Sequence, residues 1–182
     1  MKLERLLLKQ KAAVLRNWFN LVVETYPADT SRFLKSQKDP FHNPVGSATK
    51  KGLEALFDEI IHGLDPETAA SFLDPILRIR AVQDFSPSRA TGFILLLKTI
   101  IRDILKGSLQ EPDILNELLV LERRIDDLCL IGFDIYMKCR EKIFQIQANE
   151  QRNRVFKAFE RAGIVNEMPD DSVDLENSKL TQ

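Results

Sequence analysis

Six polar residues crowd one short stretch of the sequence: Arg78, Arg80, Gln83, Ser86, Ser88 and Arg89 lie within RIRAVQDFSPSR. Ser86-Pro87 is a helix-start signal, because a serine can cap and a proline loses nothing in the first turn. The open amide N–H groups and positive dipole end of a helix start favour an anion, and guanidinium groups add charge-assisted hydrogen bonds. These residue types therefore suit a small anionic ligand or a partner carboxylate. They have a structural reading as well, in which Ser86 caps its helix and the arginines pair with Asp74, Asp84 or Asp103.

Other chemistry finds fewer residues. Two histidines, His42 and His62, with no Cys-x-x-Cys beside them are too few for a zinc site, and His62 suits a favourable charge near a helix C-terminus. Cys129 and Cys139 are separated by ~15 Å if they share one helix, so they cannot bridge without breaking it. Both fall among apolar residues, where a thiol packs rather than attacks, and reduced thiols point to a reducing compartment. The acidic pairs Asp58-Glu59, Asp126-Asp127 and Asp170-Asp171 are sequence neighbours, so on a helix they diverge. Walker, nucleophile-elbow, dinucleotide and His-Glu-x-x-His patterns are absent from the sequence, and no enzyme is expected.

A second candidate lies further on. Arg152, Arg154, Val155, Phe156 and Phe159, with Lys157 and Arg161, mix basic and apolar side chains on a segment that is otherwise polar. Four cations on a short helix suit a solvated face, whereas Val155, Phe156 and Phe159 form an apolar patch fit for a partner protein.

Helices must position both groups. Leu7, Leu8, Val14, Leu15, Trp18, Phe19, Val22 and Val23 recur at helical spacing over residues 3–26, and Pro27 ends the run. A proline-rich passage follows, in which 30–36 is long enough for a helical turn. A second helix is expected over 45–62, stopped by Gly63 in a left-handed cap. Asp65-Pro66 starts a third, and Asp74-Pro75 predicts a kink or break within it. Ser86-Pro87 opens a helix that should run to about Lys106, ended by Gly107.

Pro112 opens the longest helix, to about Arg161. Ile114, Leu118, Leu121, Ile125, Leu128, Gly132, Ile135 and Cys139 follow a four-three spacing, with Leu115, Leu119, Cys129, Phe133 and Tyr136 as a second stripe. A face that wide suits packing within its own domain and against a second copy, so a homodimer is one expectation. The whole reads as an all-α single helical bundle with a long C-terminal helix. Its parts are a helical domain over 1–146, a helical extension over 147–162 and a disordered acidic tail over 163–182.

The chain has 182 residues, enough for one domain with a sizeable core. With 26 basic and 27 acidic residues the net charge is −1, which provides no global field for nucleic acid. The apolar run after Gly92 is cut by Lys98 and Arg102, far short of the ~20 residues a membrane span needs. The leucines of MKLERLLLKQK are too few for a secretory signal. A cytoplasmic protein without nucleic acid or membrane insertion is expected.

DPFHNPVG at 39–46 and RIRAVQDFSPSRATGFILLLK at 78–98, preceded by Trp18 and by Tyr26-Pro27, carry a family likeness. In this order they resemble the RsbT co-antagonist protein RsbRD N-terminal domain, over roughly residues 6–105. The resemblance implies a bacterial, cytoplasmic, all-helical sensory module of stress-response signal transduction. In that family the module usually precedes a STAS domain or a histidine kinase, and its ligand is in general unknown. Related domains are globin-like in shape and lack haem, so no cofactor is expected.

The chain departs from that pattern in leaving no room for an output domain. Neither histidine lies in a phosphoacceptor box, and no Asp-x-Ser-Gly occurs. The resulting expectation is a stand-alone, non-catalytic module acting by ligand or protein binding, with its signalling partner supplied separately. A small-molecule or cofactor carrier and a structural subunit of a larger complex are the alternatives.

Overall fold

A computed structural model describes residues 2–37 and 39–163. The chain divides into two compact units, Met1–Glu141 and Lys142–Gln182. Seven helices and no strand occur among the described residues: α1 Lys2–Glu24, α2 Ala28–Ser36, α3 Pro44–His62, α4 Pro66–Val82, α5 Pro87–Thr91, α6 Leu96–Leu105 and α7 Pro112–Arg161. The acidic tail expected from 163 onward lies, beyond Gly163, outside the described residues.

The core of the first unit is built from one stripe on each of α1, α3, α4, α6 and α7. Leu3, Leu7, Val14, Trp18 and Val22 of α1 meet Leu53, Leu56, Phe57 and Ile60 of α3, together with apolar residues of α4, α6 and α7. Lys11 stands at a turn where that α1 stripe would continue. It is held instead by Asp58 at 2.8 Å and Glu54 at 3.7 Å. On α7 the four-three stripe is buried from Ile114 through Leu118, Leu121, Ile125 and Leu128 to Gly132, but its last members, Ile135 and Cys139, are only half-buried, and Tyr136 of the second stripe takes the buried place. Most of the second stripe is not, since Leu115, Leu119 and Phe133 are exposed. Gly132 permits close approach: a Cβ there would come within 2.9 Å of the Ile94 Cδ1.

Helix starts follow the capping chemistry. Asp65 accepts from the Thr68 amide at 2.8 Å, and hydrogen bonding from the Thr68 side chain, with that amide second, lowers the Asp65 carboxyl below its usual range. Asn43 accepts from the Gly46 amide at 2.8 Å, while its amide group donates to Leu34 O and Gln37 O at 3.1 and 2.9 Å. One buried side chain thus caps α3 and closes the end of α2, which accounts physically for Asn43 and Gly46 within DPFHNPVG, since a Cβ at Gly46 would collide with the Asn43 side chain. At the end of α3 the positive φ is shared between Gly63 at 148° and Leu64 at 67°. Arg124 of α7 donates to the Ile60 and Ile61 carbonyls there, satisfying last-turn acceptors.

Two helix boundaries differ from the sequence expectation. Of the kink or break expected at Pro75, the break does not occur: α4 continues through it, because Leu73, Ile76, Leu77 and Arg80 on either side share one buried face and packing outweighs the missing hydrogen bond. The helix expected from Pro87 to about Lys106 is instead interrupted between α5 and α6. There Ile94 and Leu95 donate to Thr91 O and Gly92 O, three residues back. The tightened turn buries both Phe93 and Ile94, and the Trp18 indole N–H takes the Phe93 carbonyl at 2.8 Å.

Candidate functional site

The six residues singled out at the α4–α5 corner are held in different ways. Arg78 is exposed and forms a bidentate pair with Asp74, Nε to Oδ2 at 3.2 Å and Nη2 to Oδ1 at 2.9 Å. Gln83 is the C-cap of α4, its backbone N–H donating to Ile79 O. Ser86 occupies the N-cap position of α5 but makes no side-chain cap; its Oγ lies 3.4 Å from the Ser88 Oγ. The side-chain cap expected of Ser86 is thus absent, and α5 has only 5 residues, too few to build a sizeable dipole.

Arg80 is the centre of the corner, and it is fully buried at 0% exposure. No carboxylate pairs with it among the described residues. Its Nη1 donates to Arg89 O at 3.0 Å, and its Nη2 to Val22 O at 3.3 Å and the Thr25 hydroxyl at 3.0 Å. These acceptors sit where α1 and α5 end, and terminal carbonyls are the orphaned, partly negative end of a helix. Two helix ends take the place of a counter-ion. The rings of Tyr26, Phe85 and Phe93 surround the guanidinium with centroids at 5.3, 5.0 and 4.7 Å. Burial pushes the Arg80 guanidinium down from its ordinary value, with Tyr26 opposing, yet arginine remains a cation. Its Nε is buried without a hydrogen-bond partner among the described residues.

Arg89 completes the capping of α1 by donating to Thr25 O at 2.7 Å, and its guanidinium lies 5.1 Å from the Phe85 ring centroid. Tyr26 and Phe85 meet edge-on at 5.1 Å. The Tyr-Pro end of α1 and the block beginning at Arg78 are therefore two halves of one joint. Sequence reasoning singled out the arginines and missed Thr25, Phe85 and Phe93 as their partners. A signal existed for Arg80: it follows Leu73, Ile76 and Leu77 on the buried helical period.

The long helix also reaches this joint. Tyr136 of α7 donates its hydroxyl to Phe85 O, and Arg140 donates to Ala81 O at 2.9 Å and pairs with Asp84 at 2.6 Å. Asp84 has φ of 56°, a conformation that Asp tolerates better than most residues, and it turns the chain out of α4. α1, α4, α5 and α7 thus converge on one set of backbone acceptors. The arrangement positions helices; it brings no nucleophile to a base.

Both histidines are exposed, His42 paired with Asp39 and His62 hydrogen-bonded through Nδ1 to Asp58 O at 2.7 Å. Cys129 and Cys139 are half-buried, and burial pushes both thiols up. Among the described residues no group of three or more His, Cys, Asp or Glu could hold a metal ion, and no helix is long and apolar enough to cross a membrane. In the second unit, Arg152, Arg154, Val155 and Phe159 are exposed and Phe156 is half-buried.

No curated protein and no solved structure matches the chain significantly. A family model described as RsbT co-antagonist protein rsbRD N-terminal domain matches residues 12–151. The match extends past residue 105, where the sequence resemblance stopped, and includes Tyr136 and Arg140. It covers well over half of the chain, both blocks and the whole Arg80 joint, so the chain belongs to the RsbT co-antagonist protein rsbRD N-terminal domain family, a family of stress-signalling regulatory modules.

Proposed function

We propose that the chain is a non-catalytic, cytoplasmic regulatory module that delivers a stress signal by protein contact, to a partner that docks on Arg152, Arg154, Val155, Phe156 and Phe159. The observation that carries this reading is the exposure of Val155 and Phe159, at 54% and 47%, on a helical segment rich in polar residues. Apolar side chains grouped in water mark a contact surface, and flanking arginines suit an acidic rim on the partner. The family supplies the setting, since regulators of stress signalling act on other signalling proteins.

Affinity isolation from the organism of origin, with the full chain and with the variant Val155→Asp/Phe159→Asp, tests the reading by quantitative mass spectrometry. A stress-signalling protein should be recovered with the parent chain and fall by about tenfold or more with the variant, as loss of two apolar anchors implies. Equal recovery of every protein by both chains would contradict it.

A further inference from the structure

Away from the joint, α1 and α3 border an open groove of ≈ 700 Å³. Its floor carries Leu8, Leu15 and Phe19 of α1 and Leu53 of α3, with the small Ala12 between them. From Leu8 to Phe19 the strip follows α1 for ~16 Å. A second groove of ≈ 470 Å³ adjoins it, lined in common by Phe19, Lys50 and Glu54.

Charge distinguishes this groove from an ordinary seam between helices. Lys9, Arg16 and Lys50 stand on its rim, all exposed, and their side chains make no hydrogen bond or ion pair with any described residue. The fourth cation, Lys11, is already engaged by Asp58 and Glu54. Glu54 is the one acidic residue lining the groove among the described residues, so the rim carries uncompensated positive charge above a hydrocarbon floor.

We propose that this groove is a binding site for a single-chain anionic amphiphile, the tail lying along Leu8, Leu15, Phe19 and Leu53 and the carboxylate among Lys9, Arg16 and Lys50. The volume is in the range of small-ligand sites. The floor is recessed at one end and open at the other: Leu53 is 1% exposed and Leu15 and Phe19 are half-buried, while Leu8 is exposed, a taper that suits one alkyl chain better than the face of a helix ~10 Å across. The groove shares no residue with the partner-docking patch, and neither proposal depends on the other.

The test is an NMR titration of the full chain with sodium dodecanoate below its micelle-forming concentration, beside dodecyltrimethylammonium, which has the same tail and the opposite charge. Dodecanoate should give saturable shifts at Ala12, Phe19 and Leu53, and the cationic probe should give none. The variant Lys9→Gln/Arg16→Gln/Lys50→Gln should weaken binding about tenfold, the order expected for losing charge-assisted contacts. Ala12→Phe, at an exposed helical position, should abolish binding by filling the floor, and it decides the matter if the triple variant fails to fold. Equal binding of both probes, undiminished binding by the variants, or shifts confined to other residues would overturn the proposal. So would association with phosphatidylglycerol vesicles in the absence of any dodecanoate binding.

Discussion

Arg80 has the periodicity of a core residue and the chemistry of a surface one. Its position after Leu73, Ile76 and Leu77 places it on the buried face, but a cation is buried only where acceptors wait for it. One acceptor, Arg89 O, lies nearby on α5, but the others belong to the end of α1, distant in sequence, where location depends on the fold. Sequence could therefore supply the block and not the reason for it. Replacing Arg80 with Met keeps the length of the side chain while stranding the carbonyls and the Thr25 hydroxyl, so Arg80→Met should lower the unfolding free energy by about 3 kcal/mol. Urea denaturation measures this, and an unchanged midpoint at unchanged slope would show that the arginine does not hold the joint. Arg78, two residues earlier, is exposed and paired with Asp74 four residues back, one of the local pairings the sequence allowed.

At the scale of elements, the helix starts were the legible part. Asp65-Pro66, Ser86-Pro87 and Pro112 each announce a helix where the structure begins one, because the signal is local and needs only neighbouring residues. The two misread boundaries were settled by tertiary packing: a common buried face carried α4 through Pro75, and burial of Phe93 beside Ile94 divided the helix after Thr91. Asn43 links local and distant effects, since its oxygen caps α3 while its amide group serves two carbonyls at the end of α2. Removal of the side chain should cost about 2 kcal/mol, the sum of a lost cap and stranded carbonyls. Hydrogen exchange should then rise first at the start of α3 and the end of α2, whereas uniform exchange across the unit would contradict a local linking role.

At the scale of the whole molecule, composition and periodicity were enough for an all-α protein, and separated blocks were enough for the family, since neither depends on side-chain geometry. The α1–α3 groove was not legible. Lys9, Arg16 and Lys50 come from two helices, and their sequence positions do not announce that they border one apolar strip. Val155, Phe156 and Phe159 were legible, since apolar residues within a polar helical segment show in the sequence itself. The most direct test of the account replaces the chromosomal copy with Val155→Asp/Phe159→Asp and measures stress-dependent transcription together with the abundance of the protein. Substitution at exposed positions should leave folding and abundance near normal. The account predicts that the stress response is lost or strongly reduced while the protein persists; an unchanged response at equal abundance would contradict signalling through this surface.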